Sequence, residues 1–379
     1  MKRFLAIAAV ALVGVLPAVS QSLDDLNIQL HGYATQGFLY TTHNNAFYAE
    51  SSDGSPAWIE AVLNVSAVPT PKLRVAVQAR YALLGTSGNA LTLDWAAADY
   101  KVNDRFGVRF GKVKTPWGLF NETQDIDSSY MWSLLPQSIY DITTRNADLS
   151  HVGGVAYGTL RLDPKIGKFE YRGWGGEALI PTDDGQFADL VASGNSPLHP
   201  FTYVIYGGAL HWFAPVPGLM IGGSDTLANR ASVALAGGTE TIAPWNNESL
   251  FAKYEKNKLM IAYEWNRQAS PGTLDLTGLP VASANSDPRA WYAMATYKMT
   301  GKLSLGAYDS QASDHQEPLG PDRYSKDWTF SGRYDLNEFI YIKAEQHFID
   351  GTSLGFESAN NTVLFPNTRL TALKVGVSF

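Results

Sequence analysis

The sequence predicts an all-β chain: a transmembrane up-and-down antiparallel β-barrel of sixteen strands, with short turns at one end and long loops at the other. Three observations predict it. Apolar and polar residues alternate with period two along most of the chain, the mark of half-buried strands. Short and long connections alternate strictly. The chain ends on an alternating segment, Leu373, Val375, Val377 and Phe379 between Lys374, Gly376 and Ser378.

The chain opens with an address. Lys2 and Arg3 precede an apolar run ending at Leu16, Pro17 breaks it, and Ala18, Val19 and Ser20 are small. That is the layout of a secretory signal peptide over residues 1–20, leaving 21–379 as the barrel. Removing two basic groups takes the formal charge from −7 to −9.

From there the strands follow one another. Leu73, Val75, Val77, Ala79 and Tyr81 interleave with Arg74, Ala76, Gln78 and Arg80, and Trp328, Phe330 and Tyr334 interleave with Thr329, Ser331 and Arg333. Tight turns fall at Val68–Pro71, Asn103–Asp104, Asp163–Lys165, Pro215–Pro217, Glu255–Lys258, Thr300–Gly301 and Asp335–Asn337. Longer polar loops fall at 42–55, 84–90, 114–147, 178–201, 225–247, 269–287, 312–322 and 350–367. Seven tight turns join fourteen strands, and one strand at each end makes sixteen, an even number as a closed single-chain barrel requires. Closure is obligatory, because an unpaired backbone group in hydrocarbon costs several kcal/mol. Tyr40, Tyr81, Tyr100, Tyr254, Tyr297 and Tyr334 are candidates for the interfacial girdles.

Sixteen strands leave a water-filled lumen unless something fills it. Parity places Arg74, Arg80, Arg109, Arg333, Lys343 and Glu345 on the inner wall, with Lys168, Glu170, Arg172, Lys253, Glu264, His347 and Lys374. Basic groups outnumber acids there, which favours anions. Acids gather in the loops, among them Glu50, Glu122, Asp125, Asp127, Asp141 and Glu177. The 114–147 loop is the longest and carries Trp117, Phe120, Tyr130, Trp132, Leu135 and Tyr140. Such a loop is expected to pack inside the barrel and narrow it. Asp125, Asp127 and Arg145 would then face Arg74, Arg80 and Arg109. The competing expectation is that loop acids neutralise the wall arginines.

Composition excludes several classes. There is no cysteine, so disulfides and cysteine-ligated metals are absent. The acidic balance disfavours nucleic acid. The seven histidines show no zinc spacing, and no G-x-S-x-G elbow occurs. Only His151 with Ser150, and His347, are candidates for a wall hydrolase. No metal or cofactor is expected.

Four stretches carry a family resemblance: His31–Gly37, Leu93–Tyr100, Gly111–Glu122 and Leu135–Tyr140. They resemble porin-like outer-membrane proteins of Gram-negative bacteria, distantly the phosphate-selective and dicarboxylate-type porins. In those families a Gly-Lys-x-Lys-x-Pro-x-Gly run leaves a strand for the constriction loop. The resemblance implies a barrel, commonly a homotrimer, through which small hydrophilic solutes or ions diffuse passively. It places Lys112 and Lys114 at the base of the constriction. Phe379 resembles the terminal signal read by the barrel-assembly machinery, with outer-membrane lipid and lipopolysaccharide as surroundings. The loop lacks the dense Arg/Lys ladder of a phosphate-selective pore. The alternatives are an outer-membrane barrel enzyme and a plugged structural or adhesive barrel.

Overall fold

The alternating segments form strands because a period of two puts alternate residues of a segment on one face. In Asn367–Ser378, for example, exposed Leu373, Val375 and Val377 alternate with buried Ala372 and Lys374. The computed structural model describes residues 26–182 and 184–379. The leader read at 1–20 lies outside the described residues.

The first nine strands are β1 (Gln29–Thr41), β2 (Ser55–Thr70), β3 (Leu73–Leu84), β4 (Ser87–Asn103), β5 (Phe106–Lys114), β6 (Ser150–Arg161), β7 (Lys168–Ile180), β8 (Phe201–Phe213) and β9 (Leu219–Ala228). Next come β10 (Ala231–Leu235), β11 (Gly238–Ile242), β12 (Trp245–Lys256), β13 (Leu259–Ala269), β14 (Gly272–Leu276) and β15 (Ala282–Ser283). The last five are β16 (Pro288–Lys298), β17 (Leu303–Asp314), β18 (Tyr324–Asp335), β19 (Ile340–Gly351) and β20 (Asn367–Ser378). Sixteen of them close one antiparallel barrel, in which β1 pairs with β20. Beyond the last strand, Phe379 and Gly32 exchange backbone hydrogen bonds of 3.0 and 3.1 Å.

Three connections depart from expectation. The 84–90 loop is a tight turn, because Gly85 (φ 59°) lets β3 fold straight into β4 and a Cβ there would strike the Tyr48 backbone. Loops 225–247 and 269–287 are not irregular. They contribute β10, β11, β14 and β15 to a separate four-stranded sheet, whose Val233 and Leu235 pack with Phe187 and Phe201. Glu177, read as a loop acid, lies within β7 and faces outward.

The lumen is heavily filled. One apolar cluster joins Trp117, Trp132 and Tyr140 of the long loop to Tyr292 and Tyr308 of the wall. A second joins Leu134 to Phe47 and Phe356 of neighbouring loops and to Leu39 and Trp58 of the wall.

Candidate functional site: the loop inside the lumen

β5 ends where Pro116 withholds a ladder donor, and the chain turns inward. Gly118 (φ 62°) then passes beneath Glu264, where a Cβ would come within 2.7 Å of both the Glu264 carboxylate and the Tyr140 hydroxyl. Glu264 of β13 accepts hydrogen bonds from Leu119 N–H (3.0 Å), Tyr140 Oη (2.7 Å) and Tyr292 Oη (2.8 Å). This buried carboxylate therefore pins the entry and middle of the loop together.

Farther along, Asp127 accepts from Lys343 Nζ (2.9 Å), Lys374 Nζ (2.9 Å) and Tyr341 Oη (2.7 Å). Burial opposes ionisation of Asp127, but the two ammonium groups outweigh it and hold the carboxyl well below its usual range. The same wall reads the loop backbone. Lys343 donates to the Trp132 carbonyl at 2.9 Å, Lys374 to the Ser133 carbonyl at 2.9 Å, and Arg333 to the Ser128 and Tyr130 carbonyls at 2.7 and 2.9 Å. Glu345 accepts from the Ser133 and Leu134 amides at 2.6 and 3.0 Å. Arg333, Lys343 and Glu345 are thus loop anchors, and Lys343 is fully buried.

Toward β2–β5 the loop meets the wall in two polar layers. In the lower one Asp125 accepts from Lys114 Nζ (2.7 Å), Gln78 Nε2 (2.7 Å) and Trp95 Nε1 (3.1 Å). In the upper one Arg145 forms a bidentate pair with Asp94 at 3.1 and 2.9 Å, with side chains 6% and 3% exposed. Beside it Arg80 pairs with Glu60 at 2.5 Å. At the flank, Glu122 meets Arg109 and Arg172, each at 2.9 Å, and Arg109 also meets Asp99 at 2.9 Å. Burial opposes ionisation of Glu122, yet Arg172 and Arg109 lower its pKa.

Below these layers lies a cavity of about 710 Å³, bounded by Arg74, Trp95, Asp99, Arg109, Lys114 and Asp125, and reaching Glu338 and Phe379 at the short-turn end. Arg74 differs from the other wall arginines. Its guanidinium donates to Ser66 Oγ at 3.1 Å and has no carboxylate within ion-pair distance among the described residues.

The predicted site residues therefore separate. Arg74, Arg80, Arg109, Lys114, Asp125 and Arg145 gather at the β2–β5 side of the loop. Asp127 does not face the arginines, because Lys343 and Lys374 hold it on the β19–β20 side. Lys112 is not at the base of the loop inside the barrel. It shares outward parity with Phe110, pairs in register with outward Val152, and donates to the Leu93 carbonyl. The excess of wall bases also shrinks, since Glu60, Asp94 and Asp99 stand on the same wall unnoticed. A bulge at Asp94 breaks the alternation, turning Asp94 and Trp95 both inward. A register slip of this kind leaves no trace in a parity count.

The histidine candidates are held by structure. His151 Nδ1 lies 2.9 Å from Thr115 Oγ1, while Ser150 Oγ donates to the Asp94 carbonyl at 2.7 Å and not to His151. His347 lies 2.8 Å from Asp327 and 3.4 Å from Glu345, beside a void of about 20 Å³.

Residues 58–131 match the model of a family described as phosphate-selective porin O and P. No curated protein sequence matches the chain. Among solved structures, the Salmonella typhi OmpF complex with daunomycin aligns at TM-score 0.61 and 13% identity, over 95% of this chain and 99% of that one. An anion-selective porin from Comamonas acidovorans aligns at 0.58 and 10%, over 93% and 99%. The in-vitro folded trimer form of OmpT from Vibrio cholerae aligns at 0.51 and 12%, over 93% and 99%. At such identities these likenesses are of fold.

Proposed function

We propose that this porin-like barrel of the bacterial outer membrane is a passive diffusion channel for small hydrophilic solutes and ions, leaning toward anions. The observation that carries the reading is the 114–147 loop, folded into the lumen and roofing a water-accessible vestibule of about 710 Å³. The route runs between the loop and the β2–β5 wall. On this reading the constriction is the pair of layers where the loop meets the wall, Lys114–Asp125 and Arg145–Asp94. Arg80 and Arg109 are neutralised by Glu60, Asp99 and Glu122, so their fields largely cancel. Arg74 keeps an uncompensated positive charge at the inner mouth, and this supports the anion preference. The anion-selective porin among the solved neighbours agrees with it.

No chemistry is assigned to the wall. The family match at 58–131 and the fold are those of channels, and His347 borders a void of only about 20 Å³. The plugged-barrel reading draws on the same loop contacts, and conductance separates the two. Assembly as a homotrimer, with lipopolysaccharide around it and Phe379 as the assembly signal, belongs to the proposal. Self-association is supported by the neighbour solved as a trimer.

The test is single-channel recording in a planar bilayer under a potassium chloride gradient. Ohmic steps with a reversal potential of anion sign are expected. A folded barrel that never conducts would overturn the channel reading in favour of a plug.

A further inference from the structure

The wall of the vestibule is less polar than a water-filled lumen requires, since the interior of a conducting barrel is ordinarily polar. Three register layers rise here from the short-turn end: Arg74 opposite Asp99, then Ala76 opposite Ala97, then Gln78 opposite Trp95. The middle layer is apolar. From the other side the loop borders the same cavity with Ile126, which keeps 39% of its surface exposed. Val62 of β2 extends the apolar wall. A volume of about 710 Å³ is that of a small-molecule site, and such sites are mostly apolar with a few converging polar groups.

The acids along this wall are committed. Asp99, across from Arg74, is bound to Arg109 and Tyr157. Glu122 is bound to Arg109 and Arg172, and Asp125 to Lys114, Gln78 and Trp95. Glu338 lines the short-turn mouth. Among the lysines and arginines that line the cavity, Arg74 alone lacks a carboxylate partner. It is exposed, and its hydrogen bond to Ser66 Oγ at 3.1 Å tips the guanidinium one layer inward, because Ser66 pairs in register with Ala76. The next layer, which holds Trp95, is one two-residue step away, about 6.7 Å. Trp95 is itself fixed: Asp125 accepts from its Nε1 at 3.1 Å, and Lys114 Nζ lies 5.2 Å from its ring centroid. A cation, an anchored indole and the apolar wall between them therefore converge on one space.

Resting on the reading of this vestibule as part of the solute route, we propose that it is a binding station for arylcarboxylates, with the carboxylate on Arg74 and the ring against Ala76, Ala97 and Ile126 beside Trp95. A carboxylate within hydrogen-bond reach of Arg74 puts an attached ring at the level of Trp95, where aromatic surfaces attract one another. Inorganic phosphate fits poorly. It would find one guanidinium where its charge calls for several, and it would give up water against alanine and isoleucine. Acetate would use Arg74 and leave the apolar wall wet, and a neutral ring would leave Arg74 unused.

The test reads binding by titration calorimetry on the full-length barrel in detergent, with folding checked by heat-modifiable migration. The probes are benzoate, acetate, benzyl alcohol and inorganic phosphate. Benzoate should bind about tenfold or more tighter than acetate or benzyl alcohol, because it alone uses both the guanidinium and the apolar wall. Arg74→Gln should weaken benzoate about tenfold. Ile126→Ala should weaken benzoate about threefold, with a smaller effect on acetate, the split expected of an apolar contact. Equal affinities for benzoate and acetate, tighter binding of phosphate than of benzoate, or an Arg74→Gln barrel that binds benzoate as the wild type does would overturn the proposal. Single-channel recording of the same preparation separates it from the channel reading. A barrel that binds benzoate without conducting would sink the channel and leave the binding station standing, and one that conducts but binds no benzoate would do the reverse.

Discussion

Replacing Arg145 with alanine removes the cation from the upper layer and leaves Asp94 facing the eyelet. The pair is bidentate and nearly buried. Breaking such a pair on one side costs about 3–5 kcal/mol, because the remaining charge is uncompensated. The chain relieves that cost by releasing the loop end at Arg145–Asp148 and letting water reach Asp94. Conductance should therefore rise. An ion passing about 5 Å from the freed carboxylate feels about 0.8 kcal/mol in a water-like medium, reduced to about 0.5 kcal/mol by 0.1 M salt. The sign is opposite for cation and anion, so their permeability ratio should move about fivefold toward cations. The assay is single-channel conductance and reversal potential in a potassium chloride gradient. Adding Asp94→Asn should return the selectivity and keep the larger conductance. An Arg145→Ala barrel that is folded, with conductance and reversal potential unchanged, would refute the placement of the eyelet.

Deleting 122–145 should widen the pore and raise conductance while exposing Lys343 and Lys374, so that selectivity moves toward anions; unchanged conductance would remove this loop from the constriction. Arg74→Gln should shift the reversal potential toward cations more than Arg80→Gln or Arg109→Gln does, because only Arg74 lacks a carboxylate partner; equal shifts would contradict that ranking. Asp148 of the loop is pushed up to about 6, chiefly by burial and further by Asp141, against a hydrogen bond from Thr144. A carboxyl raised in the fold binds its proton more tightly folded than unfolded, so stability should fall as pH rises from about 4 to about 6. Asp148→Asn should add about 3 kcal/mol at pH 7 and flatten that slope, read by denaturant unfolding; an unchanged slope would place the charge in water. Phe379→Ala should lower the folded barrel in the outer membrane, measured by heat-modifiable migration in membrane fractions, and normal levels would contradict a terminal signal.

The alternation in β20, the tight turns such as Asn103–Asp104, and the aromatic loop at 114–147 were legible because each is a local consequence of backbone geometry. A period of two fixes which face a residue takes, and a turn needs residues that leave the ladder. Strand number, closure and the loop that fills the lumen followed from these. The placement of Asp94 was not legible, because the bulge there adds one residue and reverses the face, and local patterning does not show it. Lys112 follows the plain alternation from Arg109 to the outer face, and only the family resemblance had set it at the base of the loop. Nor could the sequence tell that Asp127 would be taken by Lys343 and Lys374, more than 200 residues away, while Arg145 took Asp94. Those choices are long-range. They were decided when the closed barrel brought its first and last strands together around one loop and left each buried charge to find its nearest opposite.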